Sequence, residues 1–348
     1  MEPFFIYREP FDRTFHCYTQ QERPILFRSL PELDGHEGFV IAPFSCDAEH
    51  PICLLNGESG CTRDLPLDRE DSFEAVPDWQ TGSMTVHLPG HTRADYHADF
   101  IRFHGELKDG MFRKLVLARS AVEYKDEKLT PRSVFIKACK SYPRSYIALF
   151  YTEETGMWLI ASPEILLRGS ADGYQTMALA GTMKYEGEDI EWSAKNREEQ
   201  QLVAEYIRTG LQPFAAEIAE STPYTARAAH LAHLRTDFTF HLRDRKRLGS
   251  FLSVFHPTPA VCGMPKEAAR QFILRNEHLQ RSYYSGFSGL IGRSGQARLY
   301  VTLRCMQLSR TVCRLYAGGG ILKESNEENE WQETEAKLDT MRQLLRSD

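Results

Sequence analysis

Over most of the chain apolar and polar positions alternate in short runs, the period-two signature of half-buried strands. Residues 4–7 and 38–44 are the better strand candidates of the first 90. The spacing then predicts a helix over 96–108, strands at 114–119 and 121–124, and a helix over 131–140 opened by Pro131. Residues 147–151 and 157–161 read as a hairpin around 153–156, followed by strands at 165–169 and 174–180. Ser193 is placed to cap a helix running to about residue 210, and 247–255, 266–276 and 330–346 carry helical spacing. Strands are expected at 284–292, 297–307 and 311–317. These strands follow one another as hairpins more often than they alternate with single helices. That order predicts an α+β fold with antiparallel sheets, not a doubly wound parallel sheet. Residues 56–89 are rich in Gly, Asp, Ser and Pro and read as a loop, with a boundary near residue 90. Residues 1–90 are then an N-terminal part of the same fold, and 91–348 the catalytic domain.

Composition changes little. The 348 residues are 42% hydrophobic and 26% charged, which is ordinary for a globular chain. A net charge of −6 offers no general attraction to nucleic acid or to an acidic membrane. The basic run at 243–247 has no interleaved aromatics and reads as a solvated turn. The eight cysteines include no Cys-x-x-Cys, and Cys46, His50, Cys53 and Cys61 match no familiar zinc spacing. With no signal-peptide pattern and no apolar stretch of membrane length, a reducing cytoplasm is the expected compartment.

Candidate chemistry sits at strand ends and on helix faces. Lys114 opens an apolar strand and shares a face with Val116 and Ala118. It either snorkels at the strand edge or points inward, where desolvation would favour the neutral amine and make it a general base. Glu164 in Ser162-Pro163-Glu164 stands just past an apolar strand, a position for a general acid or for a turn residue at the surface. Ala180-Gly181-Thr182 leaves room beside the backbone and ends in a hydroxyl donor, or is a tight turn. Glu199 shares a helix face with Val203 and Tyr206, so it faces inward and needs a partner, and a metal would serve. Glu198 points elsewhere. His233 lies in an unusual His-Leu-Arg-Thr string, and residues 256–265, with His256, Thr258 and Ala260, contain three prolines and form a loop of fixed shape. Arg304 falls within an expected strand, where an inward guanidinium has to fork onto a carboxylate of the Glu199 kind or of a substrate. Near the end a glycine run, Gly318, Gly319 and Gly320, leads into a helix whose Glu330, Glu333 and Lys337 share one face. That face suits a hard cation holding an anionic ligand, or is an ordinary solvated charge run.

The order of these pieces is specific. Lys-Leu-Val-Leu-Ala-Arg, Ser-Pro-Glu, Ala-Leu-Ala-Gly-Thr, Ser-x-Lys-Asn-x-x-Glu, His-Pro-Thr-Pro-Ala-Val-x-Gly-x-Pro, Tyr-Ser-Gly, Leu-Arg-Cys, Ala-Gly-Gly-Gly-Ile and Glu-x-Glu-Trp-x-Glu-Thr-x-x-Lys occur in that sequence. The set resembles the chorismate-utilising enzymes: anthranilate synthase component I, aminodeoxychorismate synthase component I, isochorismate synthase and salicylate synthase. It covers roughly residues 96–345, and Gly38–Phe44 fits loosely before it. The resemblance implies antiparallel sheets packed as a sandwich, helices outside, and a site in a cleft. It implies Mg²⁺ held by Glu199 and Glu333, with Glu330 a close or water-mediated ligand. It places Arg304 and Lys337 on substrate carboxylates, with Ala180, Gly181, Thr182, His233, Thr258, Ala260, Gly318, Gly319 and Gly320 around the substrate.

Within the family the pattern is most similar to the isochorismate synthases. Alanine at 180 stands where aminodeoxychorismate synthases often carry a nucleophilic lysine, and no glutaminase segment or subunit is expected. The resemblance then implies Lys114 as the base for water attack on C2 of chorismate and Glu164 as the acid for the departing C4 hydroxyl. Salicylate synthase, which adds pyruvate elimination, and an ammonia-using synthase are the competing readings. Menaquinone and catechol siderophore synthesis both draw on isochorismate. A monomer binding neither nucleic acid nor membrane is expected. The chain departs from the family at Met183-Lys184-Tyr185 (usually Arg-Pro-Arg), at Asn196 and Gln200 (Asp and His), and at Gly319 (Ala). Glu335, on another face of the last helix, is expected to face solvent.

Overall fold

The structure is a computed structural model and describes residues 1–78, 91–126, 128–185, 190–228 and 231–346. Two antiparallel sheets dominate it. The first runs Gly263–Met264, Lys114–Tyr124, Val312–Ile321, Cys305–Leu308, Gly156–Ser162, Tyr146–Thr152, Phe4–Arg8, Thr14–Thr19 and Cys61–Pro66. The second runs Ala215–Glu220, Leu231–Leu242, Gly173–Lys184, Ile165–Ser170, Ala297–Val301, Phe287–Ile291, Gly38–Ala42, Ile52–Leu55 and Ile25–Phe27, and Tyr224–Ala228 also pairs with Leu231–Leu242. The sheets pack face to face. Phe5, Phe150, Trp158 and Tyr316 from the first interleave with Phe39, Ile41, Met177 and Tyr300 from the second. Tyr146 and Tyr300 stack across the seam with centroids 4.1 Å apart.

Helices cover the outer faces, as strands buried on both faces require. Pro131–Ser141 and Glu327–Leu345 pack on the first sheet through Phe135, Ala138, Leu338 and Leu344. Ala194–Leu211 and Leu248–Phe255 pack on the second through Val203, Ile207, Phe251 and Phe255. Arg93–Lys108 and Lys266–Asn276 close the end of the first sheet over Leu115, Leu117 and Ile321. The caps are side chains that accept orphan N–H groups at the helix starts. Ser193 accepts from the Asn196 amide as expected, and Asn326 accepts from Glu328 and Asn329, which starts the last helix at Glu327, before the expected residue 330.

Several expectations need correction. Residues 114–124 form one strand, not two. The strand expected at 297–307 is two strands in different sheets, because residues 302–304 cross the sandwich and Arg304 has left-handed backbone (φ 45°). Arg304 is therefore in a link, not within a strand. The strand expected to end at Ala180 continues to Lys184 past a bulge at Gly181 (φ 72°). Within the loop expected over 56–89, Cys61–Pro66 is an edge strand and Glu70–Ala75 a 3₁₀ turn. The rest of that loop after residue 78, and the boundary near residue 90, lie outside the described residues. Residues 1–66 supply strands to both sheets. The run at 243–247 is exposed, as expected.

Candidate active site

Where residues 302–304 leave the second sheet for the first, the layers part into a cleft. Glu164 stands in the link between Gly156–Ser162 and Ile165–Ser170. Its backbone amide binds the Ser162 hydroxyl, and its carbonyl accepts from the Val301 amide, so two neighbouring strands fix it. Burial pushes its carboxyl up to about 8, against the pull of Lys114, Arg304 and Lys337. A carboxylic acid at neutral pH is therefore built into the wall.

The bulge at Gly181 turns Ala180, Gly181 and Thr182 toward the cleft, as bulges re-aim side chains. The Gly181 carbonyl accepts from His233 Nδ1 at 3.0 Å, and Arg304 Nη2 donates to His233 Nε2 at 3.1 Å. The two bonds require a neutral ring protonated at Nδ1. Burial, and then the charges of Arg304 and Lys337, push that ring well below the usual histidine range. Among the described residues no carboxylate is within ion-pair distance of Arg304, so the carboxylate partner expected of the protein is absent there. A buried fork is left facing the cleft with one imidazole as its partner.

Lys114 points inward and is fully buried. Its Nζ is 3.0 Å from Glu199 Oε1, at ion-pair distance but outside hydrogen-bond geometry. Both side chains press on Gly320, where a Cβ would come within 2.0 Å of Glu199 Oε1 and 2.9 Å of Lys114 Cε. Glycine at 320 is thus what lets Glu199 reach the cleft wall with Lys114 behind it. Gly318 makes similar room for the Tyr284 hydroxyl, which a Cβ would approach to 2.8 Å.

The helix Glu327–Leu345 lays Glu330, Glu333 and Lys337 along its inner face, as the spacing requires. Lys337 Nζ donates to the Gly318 carbonyl at 2.8 Å and to Glu333 Oε1 at 2.6 Å. Glu330 Oε1 accepts from Lys195. Its Oε2 is buried without a hydrogen-bond partner, with the Ser325 hydroxyl nearby. A Cβ at Gly319 would sit 3.4 Å from that oxygen and 3.7 Å from Glu333 Oε1. Burial, and then Glu333, push Glu330 up against the pull of Lys195. At Glu199 burial works upward too, but Lys114, Lys195 and Lys337 outweigh it and hold the carboxyl below its usual value.

Carboxylate oxygens are the donors a hard divalent cation takes, and Glu330 has one left over. As they stand, however, the carboxylates are held by lysines. Among the described residues no three His, Cys, Asp or Glu side chains already converge on one point.

Most of the residues named from sequence meet here. Glu164, Ala180, Gly181, Thr182, Glu199, His233, Ala260, Arg304, Gly318, Gly320 and Lys337 line the cleft. Lys114 stands behind Gly320 and Glu199, and Glu330 and Glu333 stand over Gly319. Thr258 is buried with an unpartnered hydroxyl, and its loop meets the cleft through Ala260 and Val261 instead. Glu335 is not left to solvent: it pairs with Arg119 and, at 2.6 Å, with Arg342. Cys46 donates to the Phe27 carbonyl, His50 binds Asp47, and Cys61 is exposed on its edge strand. The sequence reading missed Lys195, Tyr284 and Tyr316, although Ser-x-Lys and Tyr-Ser-Gly carried two of them. No helix among the described residues is long and apolar enough to cross a membrane.

The model of a family described as "Chorismate binding enzyme" matches residues 79–346. The protein named MenF of Mycobacterium tuberculosis H37Rv is 32% identical over 292 residues, 76% of this chain and 78% of that one. Isochorismate synthase EntC of Escherichia coli K12 is 30% identical over 238 residues, 66% of this chain and 61% of that one. The solved structure of MenF, the menaquinone-specific isochorismate synthase of Escherichia coli, superposes with a TM-score of 0.77 at 24% identity. It covers 99% of this chain and 89% of that one.

Proposed function

The chain belongs to the chorismate binding enzyme family, and from that premise we propose that it is an isochorismate synthase, converting chorismate to isochorismate with Mg²⁺. The observation that carries the reading is Glu164. It is a buried carboxyl held up to about 8 on the wall of a cleft that also presents Arg304 and Lys337. A neutral acid beside two cations suits a substrate with carboxylates to hold and a hydroxyl to lose.

In this reading Arg304 and Lys337 hold the substrate carboxylates, and the neutral His233 keeps the guanidinium aimed. Lys114 takes a proton from a water that attacks C2. The ring double bonds shift, the C4–O bond breaks, and Glu164 gives its proton to the departing hydroxyl. One water enters and one leaves, so the net change is an isomerisation. Lys114 and Glu164 act at opposite ends of a single displacement, and each contributes on the scale of general acid–base catalysis, about 10²–10⁴-fold. Ala180 supplies no amine to compete with water. Glu199, Glu333 and Glu330 are the residues that would hold Mg²⁺, which would supply charge stabilisation at the substrate carboxylate.

Incubating the protein with chorismate and Mg²⁺ and separating the products tests this directly. Isochorismate as sole product is expected. Salicylate with pyruvate would make it a salicylate synthase, and turnover that requires ammonium would replace the reading.

A further inference from the structure

Each of the glutamates over the cleft has its own lysine: Glu199 has Lys114, Glu333 has Lys337 and Glu330 has Lys195. The pairs are not equivalent. The Lys114 side chain is 0% exposed and that of Lys337 11%, whereas that of Lys195 is 27% exposed. Lys114 opens a strand beside the sheet edge, where it pairs with Met264, and Lys337 is held by the Gly318 carbonyl as well as by Glu333. Lys195 lies in the first turn of Ala194–Leu211, and its one hydrogen bond from Nζ among the described residues goes to Glu330. Besides Glu330, its ammonium feels Glu199 and Glu333, so it stands among the same carboxylates that face Gly319 and Gly320.

We propose that Lys195 is a resident counter-ion for Glu330, occupying the cation's share of this acidic cluster until a divalent ion displaces it toward water. The inference rests on the reading that these glutamates ligate Mg²⁺. Charge balance supports it. Paired with Lys195, the buried Glu330 is not an uncompensated charge in the metal-free protein. A divalent ion entering there adds two positive charges, which a dicarboxylate substrate cancels. Mg²⁺ and chorismate therefore strengthen each other's binding, while Lys195 opposes the ion that arrives alone.

The test is calorimetric titration of Mg²⁺ into the full chain without chorismate. Lys195→Gln is expected to bind roughly tenfold tighter than wild type. The gain is expected to vanish on a Glu330→Gln background, because the lysine competes through that carboxylate. Equal or weaker binding by K195Q overturns the proposal, as does a gain that persists beside E330Q, which would mean a diffuse field effect. Thermal melting gives a second readout. Metal-free K195Q melts below wild type and Mg²⁺ closes the gap; a gap that Mg²⁺ leaves untouched overturns displacement. Absence of Mg²⁺ binding by every variant, with chorismate present or not, overturns the metal reading and this inference with it.

Discussion

In the proposed mechanism Glu164 gives a proton and Lys114 takes one, and their surroundings differ. Glu164 keeps its proton in the folded chain well above its ordinary value of 4.5, up to about 8. Between those values the native state binds more protons than the unfolded one, so this group's contribution to stability falls as pH rises from about 4.5 to 8. Turnover is expected to fall on the alkaline side as Glu164 ionises near 8. Glu164→Gln should lose activity and also flatten its share of the melting-temperature profile across that window, which pH-dependent melts would show. Lys114→Ala should lower kcat by about 10²–10⁴-fold while chorismate binding, followed by quenching of intrinsic fluorescence, persists. Undiminished activity would remove Lys114 from the scheme. Motif order brought these residues together, whereas strand period alone left Lys114 open between the sheet edge and the interior, and Glu164 between the site and a surface turn. The Lys195–Glu330 and Arg119–Glu335 pairs were not legible, since a helical spacing says which residues share a face but not what packs against it.

The element that carries Lys114 is held in an unusual way. The short strand Gly263–Met264 pairs with its first residues only. Beyond it the Val116 amide donates to the Cys262 carbonyl, and side chains then continue the ladder: Arg281 Nη2 donates to the Val116 carbonyl at 2.7 Å, and Glu277 Oε1 accepts from the Ala118 amide at 2.8 Å. Arg281 Nη1 also donates to the Val261 carbonyl, so one buried ion pair fixes two walls of the cleft. Arg281→Ala should cost about 3–5 kcal/mol in urea unfolding, because it strands the Glu277 carboxylate. Replacing Glu277 and Arg281 together by Leu and Met should recover most of that stability and still leave kcat at least tenfold down. Recovery of kcat along with stability would show the pair to be structural only. Elements with long, regular spacing, such as Lys266–Asn276, were read from sequence to the residue. The crossing at 302–304 was not, because an apolar run that changes sheets keeps the same alternation on both sides.

At the scale of the molecule the seam between the sheets is both core and floor of the site. Trp158 is fully buried there, stacked on Tyr316 with centroids 5.1 Å apart, and Tyr316 also lines the cleft. Trp158→Ala should cost about 3–5 kcal/mol, read as a shift of the urea midpoint. Both sheets should lose structure in one transition, since each contributes to the same inner layer. Antiparallel sheets were expected from the order of hairpins, and outer helices and a cleft only from the family resemblance. The pairing of residues 1–66 into both sheets was beyond local pattern, because partner choice depends on side chains more than a hundred positions away.

Arg304 bends the chain from one sheet into the other with a backbone that residues other than glycine, asparagine or aspartate seldom adopt, at a cost on the order of 1–3 kcal/mol. Glycine would relieve that cost and lose the guanidinium. A lineage screened only for heat resistance would drift toward glycine at 304, and one kept for turnover would hold arginine against that pull. The residue at this single bend therefore records whether a descendant of this fold still does chemistry.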